Sequence, residues 1–226
     1  MNDASSNTNE LNSAASYLPS LLAASEALDD DLGKLLSKCR ARSKRGVIAL
    51  ALCNTAFEHA LSQRLLLEAG LTGTALALCR LQFEAVVRAA WTAQCANDEW
   101  LKKFTTPVEG EGHQEPASQL PIATMLKHFE QQAPHIAAEF SRLLGTIKAM
   151  HSFVHSGSQA VVHALMPTYP VENLTAVVWN RNLLQLYTAN AAVIGAQDQG
   201  LVPRMRLLRE KHGKCMPPAP SRSHVG

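Results

Sequence analysis

Arg80, Glu84 and Arg88 stand four apart inside residues 74–96 (TALALCRLQFEAVVRAAWTAQCA), a stretch that carries no other formal charge. On a helix, a spacing of four turns the side chain by only about 40° around the axis, so the three make one slanting charged stripe on an otherwise apolar rod. A rod apolar on nearly every side belongs in a protein interior. Ionised groups there need partners, so the stripe reads either as a satisfied structural ion cluster or as the floor of a polar site. The stretch has the length of a membrane span, but charges at its centre argue against a lipid-facing segment.

The 226 residues suffice for one domain with a real core, not two. Leu and Ala dominate and aromatics are only 5 %, which favours an all-α domain over a sheet protein. A formal net charge of +2 excludes little, but the cations are unevenly placed. Lys34, Lys38, Arg40, Arg42, Lys44 and Arg45 form one basic cluster, and Arg204, Arg206, Arg209, Lys211 and Lys214 form another. Either could meet phosphate, or be a solvated helix end. The five cysteines (Cys39, Cys53, Cys79, Cys95, Cys215) include no CxxC pair and read as reduced core residues of a cytoplasmic protein. The polar start, MNDASSNTNELNSAAS, shows no secretory signal.

Residues 1–16 are expected to lack structure, residues 17–213 to form one helical bundle domain, and residues 214–226 to be a flexible tail. Helices are expected near 18–40, 45–69, 73–104, 121–156, 172–195 and 201–212, an up-and-down bundle of about five or six. Gly70 and Gly73 bracket a chain reversal between the second and third. Residues 105–121 contain three prolines and two glycines and read as a surface loop. Pro134 should break the fourth helical region, and Gly157 should cap or kink its end. Trp179, Leu183, Leu186 and Tyr187 are expected on the buried side of the last long helix.

Two constellations could carry chemistry. Lys148, His151 and His155 fall at i, i+3 and i+7, which brings three side chains within about 60° of one another on one helix face. Such a face suits phosphate, because Lys and protonated His donate while a neutral His can accept a proton from a hydroxyl. A zinc ion would find two of its ligands there, but no HExxH glutamate and no recognisable third ligand. The bland alternative has His155 packed at a helix end against a carboxylate such as Glu84. For the stripe, the structural alternative has Arg80, Glu84 and Arg88 satisfying one another or gripping a neighbour such as Glu58. The active alternative places arginine charge where a phosphoryl transition state develops its own. His59 reads as a core histidine with a partner, and Arg64 with Glu68 as an exposed i, i+4 pair. No glycine-rich phosphate loop, nucleophile elbow or cofactor motif is present.

The string LALCRLQFEAVVRAAWTAQCANDEWLKKF, followed about fifty residues later by MHSFVHSG, resembles an uncharacterised bacterial family of helical proteins. In that family an Arg-xxx-Glu-xxx-Arg helix precedes a His-Ser-aromatic-x-His segment, and the family is in turn distantly similar to the HEPN superfamily of helical bundles. The resemblance covers roughly residues 45–195. It implies an HEPN-like fold, a homodimer, and RNA as the target of a metal-independent ribonuclease or toxin-type component of a bacterial defence system, with a cognate neutralising protein as a further partner and no membrane. Active members are described as carrying Arg, four to six residues, then His on one helix. Here the three positions before His155 that fit are Met150, Ala149 and Lys148, so lysine stands where arginine would. The catalytic set expected on this reading is His155 as general acid or base, Lys148 and His151 on the phosphate, and Arg80 or Arg88 supplying charge oriented by Glu84. The rival is a non-catalytic binding or regulatory module in which both constellations are structural, and a third reading puts a nucleotide on residues 34–45.

Overall fold

The computed structural model of the protein describes residues 4–105, 120–166 and 168–218. Among these residues there are nine α-helices and no strand: α1 (Ala4–Leu36), α2 (Lys44–Glu68), α3 (Thr72–Gln94), α4 (Asp98–Thr105), α5 (Ile122–Gln132), α6 (Pro134–Val154), α7 (Ser158–Leu165), α8 (Val171–Ala196) and α9 (Val202–Lys211). The all-α expectation stands, but nine replaces five or six. Most of the expected surface loop, His113 within it, and the last eight residues of the tail lie outside the described residues.

The extra helices have local causes. Asn97 divides the expected 73–104 helix, because its side-chain oxygen accepts the Trp100 backbone N–H at 2.8 Å and starts α4 afresh. Pro134 opens α6 at its first turn, where the missing N–H does no harm. The α2–α3 reversal uses Gly70 in the left-handed region (φ 73°), with the Leu71 N–H closing on the Leu66 carbonyl at 2.8 Å. At the end of α6 the left-handed residue is Ser156 (φ 51°), not the glycine beside it. Gly157 instead donates its N–H to the Ser152 carbonyl at 2.7 Å, and a Cβ there would sit 2.7 Å from the Ser152 hydroxyl. That hydroxyl is itself engaged by the Gln159 N–H at 2.9 Å, so one serine joins α6 to α7.

α3 is the interior rod that its composition implies. It packs chiefly on α2, then on α8 and α6, while α8 also covers α1 and α2. Phe83 of α3, Phe129 of α5 and Phe140 of α6 are wholly enclosed, each contributing about 1.5–3 kcal/mol by leaving water. α2 and α8 approach so closely that a Cβ on Gly46 would collide with the Gly195 carbonyl. Neither glycine is at a turn; both permit a helix crossing.

The inward face of α8 differs from expectation. Trp179, Leu183, Leu186 and Tyr187 do pack, half-buried, against the core, but the fully buried face also carries Arg181, Asn182 and Gln185 beside Leu174, Val178 and Leu184. The buried ion cluster of the molecule therefore lies here and not on α3. Asp29 of α1, 2 % exposed, accepts from Arg181 at 2.6 Å, from Arg64 at 3.0 Å and from Gln185 at 3.1 Å. Arg181 also donates to the Ala60 carbonyl at 3.0 Å and to Asn182 at 2.8 Å. Burial pushes the Arg181 guanidinium down from the ordinary arginine value, and Asp29 pulls it back up. Arg64, expected as half of an exposed pair, is buried; Glu68 does bind it at 2.8 Å, but from the rim.

The network runs on through side-chain amides. The Gln82 amide donates to the Arg181 carbonyl at 3.1 Å, and Gln63 donates to Gln82 at 2.8 Å. The Cys79 thiol follows, donating to Gln63 at 3.1 Å, and burial pushes it up to about 12. All five cysteines are free thiols, four of them buried and Cys95 half-buried. Among the described residues no helix is long and apolar enough to cross a membrane.

Candidate functional site

The charged stripe of α3 lies at the edge of the core. Arg80 donates through Nε to Glu84 at 2.9 Å, and the two side chains remain 32 % and 28 % exposed. Arg88, half-buried, donates from Nη1 to the Leu120 carbonyl at 3.2 Å and so ties the start of α5 to α3. Of the three cations and anions, then, two pair with each other and the third is a structural anchor. Glu58, the carboxylate expected to hold one of the arginines, is exposed on α2, and His59 beside it is half-buried. Burial pushes the His59 imidazole down, and the Glu58 charge opposes that.

The last two turns of α6 pass against this stripe. His151 and His155 lie on the exposed side of α6, with ring centroids 4.3 Å apart and planes inclined at 57°. Lys148 is exposed one turn earlier. His151 is within electrostatic reach of both members of the Arg80–Glu84 pair. Desolvation first, then the positive charge of Arg80 and the second imidazole, push His151 below the ordinary histidine value, and Glu84 acts the other way. The result is an imidazole less readily protonated than usual, beside a second imidazole and an arginine. Arg80, Glu84, His151 and His155 thus form one surface cluster; Lys148 is on the same face of α6, and Arg88 is engaged at the α5 junction.

The cap geometry fixes the pair. His155 is the C-cap of α6 (φ −112°, ψ 19°), its N–H closing on the His151 carbonyl at 3.3 Å, and the Ser156–Gly157 turn then leads the chain into α7. α7 buries no residue of its own. It is held through His163, whose ring lies 5.6 Å from Phe153 and 4.9 Å from Tyr169, while Val161, Val162 and Leu165 face outward at 55 %, 57 % and 81 % exposure. Among the described residues no three His, Cys, Asp or Glu side chains converge on a point where a metal ion could sit.

A cluster of this kind can do proton chemistry on a ligand that approaches from solvent. A neutral imidazole accepts a proton, a neighbouring imidazole can return one, and a guanidinium with a carboxylate behind it presents oriented N–H groups to an oxyanion. Residues 53–218 match a protein family described as "Family of unknown function (DUF6988)", and the chain belongs to that family. No curated protein and no solved structure matches the chain.

Proposed function

We propose that this member of a family of unknown function is an HEPN-like, RNA-directed protein that cleaves its target without a metal ion, as a component of a bacterial defence or toxin-type system. The observation that carries the reading is the imidazole pair, 4.3 Å apart on an exposed face and within the field of the Arg80–Glu84 pair. In the reaction that suits this arrangement, His151 takes the proton of a ribose 2′-hydroxyl. The oxygen forms a bond to the adjacent phosphorus, and the bond to the 5′-oxygen breaks with His155 giving that oxygen a proton. The products are a 2′,3′-cyclic phosphate and a 5′-hydroxyl. Arg80 and Lys148 supply positive charge to the non-bridging oxygens, Glu84 orients Arg80, and Arg88 holds the site's supporting helices together.

The same reading includes a homodimer. The outward Val161, Val162 and Leu165 of α7, directly after the histidine pair, make an apolar face of the kind that marks an interface. A cognate neutralising protein would then act by covering this end of the molecule.

The test is direct. Purified protein incubated with mixed RNA in the presence of EDTA is expected to cut it, and His151→Ala and His155→Ala are each expected to reduce cutting by about 100-fold or more, the usual scale for a lost acid or base. RNA left intact by the unaltered protein, or cut by both variants as well as by the unaltered protein, removes the nuclease. A second reading, a non-catalytic binding or regulatory module, draws on the fact that Arg80, Glu84 and Arg88 all have partners within the protein.

A further inference from the structure

The two basic clusters that the sequence displays, 34–45 and 204–214, meet in space. The C-terminal turns of α1 and one face of α9 enclose a groove of about 180 Å³, on elements that pack against each other and not within the histidine site. Lys34 and Lys38 line it from α1, and Arg204 and Lys211 from α9. One carboxylate, Asp31, opposes these four cations, and it is already occupied: it accepts from Lys34 at 3.2 Å, from Lys211 at 2.5 Å and meets His212 at 3.0 Å. Those contacts, Lys211 and His212 above all, hold the Asp31 carboxyl well below the usual carboxylate range. Lys38 and Arg204 make no ion pair among the described residues, so the groove keeps a surplus of positive charge.

Its floor is apolar. Leu35 and Leu208 are buried beneath it, and Leu207 stands on its wall at 59 % exposure. No aromatic ring lines the groove, which removes the stacking platform on which single-stranded nucleic acid and nucleotide bases depend. Charge of one sign around a leucine floor complements a chain segment that carries carboxylates and a leucine-like side chain together.

We propose that this α1–α9 groove is a docking site for an acidic, leucine-bearing segment of a partner protein. Carboxylates of the segment meet Lys38 and Arg204, and its apolar side chain displaces water from Leu207 and the floor. Lys211 of α9 stays on Asp31 of α1 and ties the two walls together, so the groove exists before the partner arrives. The proposal is independent of the histidine site, and each can fail without the other.

The experiment uses the full chain and a fluorescein-labelled synthetic peptide of about fifteen residues, with Glu and Leu at helical spacing on one face. Anisotropy is expected to show saturable binding that weakens as salt is raised. Lys38→Glu with Arg204→Glu is expected to raise Kd at least tenfold, and Leu207→Ser severalfold, with circular dichroism and melting unchanged because neither site belongs to the Asp31 cluster. A peptide with Leu replaced by Ser should bind correspondingly less well. Absence of binding, or binding indifferent to the charge reversals, overturns the proposal. So does an oligo(U) probe that binds more tightly than the peptide and is insensitive to Leu207→Ser, since that would make the surface a nucleic-acid contact.

Discussion

Asp29 joins three helices through one buried carboxylate, which accepts from Arg64 of α2 and from Arg181 and Gln185 of α8. It is sealed inside, and it is the only carboxylate within hydrogen-bond distance of the Arg181 guanidinium among the described residues. Removing Asp29 leaves the Arg181 guanidinium uncompensated in a poorly solvating interior, which typically costs about 3–5 kcal/mol. Asp29→Ala should therefore lower the unfolding free energy by about that amount in urea titrations. Combining it with Arg181→Met should lose less than the sum of the two, because the second change removes the stranded charge. A loss below about 1 kcal/mol for Asp29→Ala would mean that the cluster is spectator to stability. None of this was legible in the sequence. Asp29 stands in an Asp-Asp-Asp run that reads as a wet surface, Arg64 forms a commonplace i, i+4 pair with Glu68, and the Asp29–Arg181 contact spans 152 positions. The residues that did stand out, Arg80, Glu84 and Arg88, were visible because they interrupt an apolar run. Their partners were not, since helical spacing sets which side chains share a face but not how deep that face lies.

Among the helices, the sequence conveyed those breaks that one residue forces and missed those that a side-chain hydrogen bond makes. The α2–α3 hairpin and the start of α6 were readable because Gly70 and Pro134 each force one backbone outcome. The α3–α4 break was hidden because Asn97 acts through a single side-chain hydrogen bond, which competes weakly with continuing the helix. At the α6–α7 joint Ser156, not Gly157, takes the left-handed conformation, and Gly157 is needed for its lack of a Cβ against Ser152. A glycine inside a helix gives no such signal of its purpose. Gly46 is the case in point: a methyl group there must push α2 away from Gly195 of α8. Gly46→Ala is expected to destabilise by about 1–3 kcal/mol, the usual penalty for overpacking, despite alanine's better helix propensity. Thermal melts that show Gly46→Ala equal to or above the unaltered protein would mean that the crossing has slack.

At the level of the whole molecule, composition was enough for the all-α class, and the α3 run was enough to identify the interior rod. The joining of distant segments was not: the basic stretches at 34–45 and 204–214 gave no sign of lining one groove, and the exposure of Val161, Val162 and Leu165 depends on α7 standing off the bundle. That face leads to an expectation about assembly. Light scattering coupled to size exclusion should give about twice the chain mass of 24.5 kDa, and Val162→Glu with Leu165→Glu should return it to the chain mass. A monomer in the unaltered protein would remove the dimer and leave the exposed valines without that role.

If Arg80 and the histidine pair act as one electrostatic unit upon RNA, the pH dependence of cleavage should report it. A base must be neutral to work, so kcat/KM should rise with pH through the His151 ionisation, and that limb should lie below the ordinary histidine range because desolvation first, then Arg80 and His155, disfavour the protonated ring. Arg80→Gln removes a positive charge and should move the limb to higher pH, whereas Glu84→Gln removes a negative one and should move it lower. An acid limb that stays in place in both variants, or an unaltered protein that cleaves no RNA at any pH, would contradict the account.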